Sequence, residues 1–89
     1  MAEVVWTDHA RGECQRRKIE QQWVERIIAK PDAILEGERN RTIRQGRIYV
    51  ARLNKELLLR VVLERRGDLL LVITAYLTSQ FSKYERKAR

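Results

Sequence analysis

The sequence predicts an α+β domain: two N-terminal helices packed on one face of a three- to four-stranded antiparallel sheet. Three observations carry it. Residues 57–64 and 69–76 are two runs rich in Leu, Val and Ile, each about one strand long, on either side of Arg65-Arg66-Gly67-Asp68. Trp23, Val24, Ile27 and Ile28 recur at the spacing of one helix stripe. From Asp32 onward the apolar period shortens towards two, the signature of strands. Helices first and strands after give segregated layers rather than an alternating α/β fold.

The two apolar runs form the centre. With Arg66-Gly67 as a tight turn, Leu63 faces Leu70, Val61 faces Val72 and Leu59 faces Thr74. One face is then a clean apolar wall for the helices. The other carries Arg60, Val62 and Glu64 beside Leu69, Leu71 and Ile73, so charges are set into an apolar floor. A desolvated charge is costly without a partner or a ligand, which singles out Arg60.

Ahead of this hairpin, Val4, Val5 and Trp6 form a short strand. Thr7 is an N-cap and Asp8 a first-turn acid for a helix running from Asp8 to about Arg17. His9, Glu13 and Arg16 share one of its faces, and Ala10, Cys14 and Arg17 another. A second helix spans about Glu20 to Ala29, with Trp23 assigned to the core. Pro31 ends it, because Lys30 is pushed out of helical geometry. Ala33 to Glu36 is a short strand followed by a turn at Gly37. Glu38 to Gln45, with only Ile43 apolar, reads as an edge strand or exposed ribbon, and Gly46 as a bulge or turn. Arg47 to Leu53 is the next strand. A two-residue turn at Asn54-Lys55 then sets Tyr49 opposite Arg60. From about residue 78 the chain becomes a basic tail with Lys83, Arg86, Lys87 and Arg89, in which Phe81 and Tyr84 dock a short final turn.

At 89 residues there is room for one domain and one modest core, so residues 1–89 are read as a single unit. A hydrophobic fraction of 44% argues for a folded chain despite 35% charged residues. No apolar run approaches the ~20 residues that cross a bilayer. The opening Met-Ala-Glu-Val-Val-Trp lacks the pattern of a signal peptide, so a cytoplasmic protein is expected. The lone Cys14 excludes an internal disulfide framework and a multi-cysteine zinc site. The formal charge of +7 favours polyanionic partners: nucleic acid first, an acidic protein second, an anionic membrane a distant third.

Several chemistries have no residues to run them. The acids are scattered, no Gly-rich phosphate loop is present, and no serine sits on a nucleophile elbow; neither cofactor nor metal is expected. What remains is Arg, Tyr, Lys and one His. That set suits metal-free RNA cleavage, in which a 2′-OH attacks the adjacent phosphate. The reaction needs a base, an acid and cationic donors around the phosphorane. His9 would be acid or base, Arg60 the charge clamp, and Tyr49 or Tyr76 a proton donor or stacking platform. The alternative for Arg60 is a structural ion pair with Glu64 or Glu13.

Trp-Thr-Asp-His-Ala at residues 6–10, Arg16-Arg17-Lys18-Ile19, Lys30-Pro31-Asp32 and Leu71-Val72-Ile73-Thr74-Ala75-Tyr76 together resemble the small RelE/ParE-type toxin superfamily, over about Val5 to Tyr84. The nearer likeness is to its less characterised relatives with an N-terminal histidine helix. The resemblance implies a RelE-like fold, a toxin-like metal-independent endoribonuclease activity and an antitoxin that blocks the site. It carries over to His9, Arg16, Arg60 and Thr74, and to Tyr76 and Lys83. The candidate catalytic set is therefore His9, Arg60, Tyr76 and Thr74, and the candidate nucleic-acid contacts are Arg16, Arg44, Arg47, Tyr49 and Lys83. The competing expectation is a non-catalytic module of the same fold that binds nucleic acid or an acidic protein. Catalysis requires His9 and Arg60 to converge on one phosphate, whereas binding needs only a spread of cations.

Overall fold

The computed structural model describes residues 3–85. In chain order it comprises β1 (Glu3–Trp6), α1 (Asp8–Arg16), α2 (Gln21–Ala29), β2 (Ala33–Glu36), β3 (Arg41–Val50), β4 (Lys55–Arg66), β5 (Leu69–Thr78) and α3 (Phe81–Glu85). The strands form one five-stranded sheet in the order β1-β5-β4-β3-β2. This corrects the antiparallel three- to four-stranded expectation. β1 runs parallel to β5, with Glu3 opposite Leu69 and Trp6 opposite Val72, and the sheet is mixed. A third helix is also present, where only a final turn of a tail was expected. The tail residues Arg86, Lys87 and Arg89 lie outside the described residues.

One face of the sheet meets α1 and α2. Leu59, Val61, Leu63, Val72 and Ala75 form one core cluster with Ala10, Cys14, Val24, Ile27 and Ile28. Ala10 and Cys14 are small enough to let α1 lie close on β5. Burial raises the Cys14 thiol above its ordinary value, as befits a packing residue. Trp23 packs against this cluster only half-buried, and Val24 beside it is sealed. The Thr7 hydroxyl fixes the entry to α1. It accepts from the Ala10 amide at 3.1 Å and donates to the Val72 carbonyl at 2.7 Å, joining the helix start to β5.

Gly46 is neither bulge nor turn: β3 passes straight through it, pairing Gly46 with Leu59. A Cβ at this position would stand 2.7 Å from Ile27 Cδ1 and 3.3 Å from Asp32 Oδ2. The glycine is there so that α2 and the Asp32 side chain can approach the strand. The Asp32 carboxylate uses that space to accept from the Arg47 amide at 3.1 Å. We expect Gly46→Ala to lower stability by about 1–3 kcal/mol through overpacking, read as a lower urea midpoint at unchanged slope. An unchanged midpoint would show that Ile27 swings aside freely. With Gly46 in register, β3 is an interior strand between β2 and β4, so the edge-strand expectation for Glu38 to Gln45 is also corrected.

Both hairpin registers differ from those expected. The β3–β4 connection is a short 3-10 turn, Ala51–Leu53, closed by Asn54 at φ 50°, so Tyr49 pairs with Glu56 and Gln45 pairs with Arg60. Between β4 and β5 the turn is Gly67-Asp68, with Arg66 opposite Leu69 and Gly67 at φ 60°, where glycine is favoured. Leu63 pairs with Val72 but Val62 pairs with Thr74, leaving Ile73 as a bulge.

Candidate functional site

The bulge builds the site. Had the register of Leu63 and Val72 continued without it, Arg60 would lie opposite Ala75. The extra residue instead sets Arg60 opposite Tyr76. Residues opposite one another in an antiparallel pair project from the same face, so Gln45, Arg60 and Tyr76 form a row across β3, β4 and β5. The row lies on the face away from α1 and α2, because Arg60 alternates with Leu59 and Val61 of the core.

Arg60 is only 6% exposed and Gln45 only 1%. Arg60 Nε donates to Gln45 Oε1 at 2.9 Å, and Nη1 donates to the Tyr76 hydroxyl at 2.5 Å. The Tyr84 ring of α3 lies over the guanidinium, 3.8 Å from its carbon to the ring centroid. Gln45 Nε2 donates back to the Tyr84 carbonyl at 3.4 Å, tying the helix to the row. Every one of these partners is neutral. Among the described residues no carboxylate reaches Arg60. Glu64 is taken by Arg41 and Arg66, and Glu13 by Arg16 and Arg17, so the expected structural ion pair is absent.

Arg47 pins α3 from the other side. Its Nη2 lies 2.7 Å from Glu85 Oε1, its Nη1 is 3.1 Å from Glu56 Oε1, and its guanidinium stacks on Phe81 at 4.3 Å. Lys83 Nζ stands 5.2 Å from the Tyr84 ring centroid. Burial by itself raises the Tyr84 phenol, but Lys83, the Tyr76 hydroxyl and Arg60 together outweigh it and hold the phenol below its usual value. Cations, two phenols and an amide thus converge under one five-residue helix.

Acid should release that helix. The hydrogen bond from Arg47 holds the Glu85 carboxyl below the ordinary glutamate range. A depressed folded-state value means that the contribution is complete above the unfolded value of about 4.3 and is lost as pH falls through the folded one. We expect the Arg47 and Arg60 side-chain protons to lose the ring-current shifts imposed by Phe81 and Tyr84 as pH falls below about 4.3, and Glu85→Gln to show those shifts reduced already at neutral pH with no acid step. Identical titrations of the two proteins would show that the ion pair does not hold α3.

The other candidate residues lie elsewhere. His9 is on α1, in the opposite layer from Arg60, with a side chain 66% exposed and Nε2 3.6 Å from Glu13. Arg16 pairs with Glu13 on the same helix. Thr74 shares the Arg60 face but is engaged by Arg17, whose Nη1 donates to Thr74 Oγ1 at 3.3 Å and to the Ala75 carbonyl at 2.7 Å. That arginine supplies a donor to β5 beyond the point where β1 stops. Tyr49 is 58% exposed and bonds Asn54, remote from Arg60. Arg44 lies on the helix side, donating to the Ile28 carbonyl at 2.5 Å. Gln45 and Tyr84 were not among the expected site residues. A buried Gln facing a mid-strand Arg is invisible until the register is known, and Tyr84 looked like part of a tail.

The span of a family match can be laid over this geometry. A model described as a domain of unknown function, DUF4258, matches residues 6–77, most of the chain. The chain belongs to the DUF4258 family. No curated protein and no solved structure matches it. The DUF4258 description carries no activity and no tie to RelE/ParE-type toxins. The DUF4258 match contains Gln45, Arg60 and Tyr76 and stops at Leu77, so Lys83, Tyr84 and Glu85 of α3 stand outside it. No helix among the described residues is long and apolar enough to cross a membrane.

Proposed function

We propose that this DUF4258 protein is a binding module for single-stranded RNA, holding a backbone phosphate at the Arg60 end of the open sheet face. The observation that carries the reading is a buried guanidinium with neutral partners and, among the described residues, no carboxylate. Such a charge is expensive to desolvate and is relieved by an anionic ligand, which a planar guanidinium binds bidentately. Tyr84 covers one face of the guanidinium, whose in-plane donors Nε and Nη1 serve Gln45 and Tyr76, so a phosphate would take the place of these neutral acceptors. Lys83 extends the positive field over the same end, and the chain's +7 charge draws polyanions to it.

A second reading keeps the chemistry: metal-independent cleavage of RNA as in RelE/ParE-type toxins. Tyr76 and Tyr84 beside Arg60 favour it, with the acidified Tyr84 phenol as a proton donor to the leaving 5′ oxygen. His9, in the opposite layer, supports it least. The toxin resemblance also brings an antitoxin into the proposal, as an acidic segment competing with RNA for these cations.

Labelled single-stranded RNA tests both readings in one tube with EDTA present. Binding without cleavage is the expected result. Affinity should fall about fiftyfold between 50 and 200 mM salt if roughly four phosphates are neutralised. Shortened RNA would replace the first reading by the second, and a flat salt response or no retention would remove both.

A further inference from the structure

A concavity lies on the helix side of the sheet, away from Arg60. It is a cleft of about 760 Å³ between α2 and the β1–β5 end of the sheet. Val4 and Trp6 of β1 and Leu70 of β5 form its floor, Gln21, Glu25 and Ile28 its wall, and Arg44 and Arg65 its far end. A smaller cavity of about 330 Å³, lined by Ile34, Glu36, Asn40 and Thr42, shares Arg44, Arg65 and Leu70 with the first. Two chambers therefore meet at a pair of arginines.

Neither arginine is neutralised among the described residues. Arg44 gives Nη1 to the Ile28 carbonyl at the end of α2, and its Nε is sealed from water with no acceptor. A buried donor left unmade is unusual and marks a guanidinium short of a partner. Arg65 is exposed; its backbone amide donates to the Asn40 carbonyl at 2.9 Å, and among the described residues its guanidinium forms no ion pair. The first chamber also offers a half-buried indole, backed by Arg11 at 6.0 Å from the Trp6 centroid, together with the Gln21 amide and the Glu25 carboxylate. A flat surface, amide and carboxylate hydrogen-bonding groups and two cations at the exit suit a planar heterocycle carrying a phosphate.

We propose that this cleft binds one nucleotide unit, the base against Trp6 and the phosphate between Arg44 and Arg65, with the smaller chamber taking the next unit of a strand. The inference borrows its ligand class from the RNA reading but uses a different site, so the two can fail separately.

Trp23→Phe leaves Trp6 as the sole tryptophan, since the chain has 2. Its fluorescence is titrated with adenosine monophosphate, inorganic phosphate and an eight-nucleotide uridine strand, and wild-type protein is followed in parallel through the Trp6 indole NMR signal. The expected result is saturable quenching by the mononucleotide, weakened at least tenfold in Arg65→Glu and partly in Arg44→Lys. Inorganic phosphate alone should bind at least tenfold more weakly. Tighter binding of the strand than of the mononucleotide identifies RNA as the source, and equal binding identifies a free nucleotide. No saturable change at Trp6 with either nucleotide probe overturns the proposal. So does an affinity that Arg65→Glu leaves unaltered, or phosphate binding as tightly as the nucleotide. RNA that still binds through Arg60 while this cleft stays silent would leave the binding module intact and remove only the cleft.

Discussion

Leu59→Ala is expected to destabilise the fold by about 2–5 kcal/mol, the largest loss from any single truncation on β4. Leu59 is fully buried at the middle of the central strand, paired with Gly46 on one side and Leu77 on the other. Gly46 has no side chain to move into the vacated space, and α2 is already close against it. The hole therefore stays open, and the lost packing adds to the lost transfer energy. Domains of this size hold about 5–15 kcal/mol in all, so the variant would sit near its unfolding threshold at room temperature. Urea denaturation beside Val62→Ala, a half-buried site on the open face, makes the comparison. Equal losses in the two variants would mean that the helix-side core is not where stability resides.

Arg60→Met is expected to separate binding from folding. Methionine keeps the volume and removes a buried charge, an exchange that is often neutral or stabilising by about 1–4 kcal/mol. Against this, Gln45 Oε1 and the Tyr76 hydroxyl each lose a donor, at about 1–3 kcal/mol per unsatisfied group. The opposing effects nearly cancel, so the urea midpoint should move little. RNA affinity should fall at least tenfold, and Arg60→Lys should restore little of it, because an ammonium cannot serve Gln45, Tyr76 and a phosphate from one plane. Loss of folding with Arg60→Met, or unchanged RNA binding, would return Arg60 to a purely structural role.

The first two helices and β2 were legible because their signals are local. Thr7 at the α1 start, Pro31 after α2, and the alternation in Ala33–Glu36 depend on neighbours a few residues away. Arg60 was legible for the same reason, as a charge in the middle of an apolar run. Gly46 was not, since a glycine signals a turn and a close approach equally well, and here Ile27 and Asp32 settle which. The sheet order was lost with β1. Glu3–Trp6 is too short to declare its partner, and parallel pairing with β5 depends on the whole intervening chain being folded. At the site, Tyr49 was set opposite Arg60 on a two-residue turn. The Ala51–Leu53 turn moves Tyr49 four positions along β4, and the bulge at Ile73 brings Tyr76 into place instead. Thr74 was picked out but serves Arg17 rather than Arg60.

The parallel pairing of β1 with β5 also dictates an order of events as the chain leaves a ribosome. Glu3 must wait for Leu69, so β1 cannot take its place until β5 has been made. Until β5 emerges, β4 presents Leu57 to Leu63 along an open edge, the most apolar edge this protein ever exposes. Contacts so distant in sequence slow folding, and a chain whose β5 is not yet in place offers this edge for self-association. Sensitivity to chaperones should therefore be greatest during synthesis, and small in the finished domain.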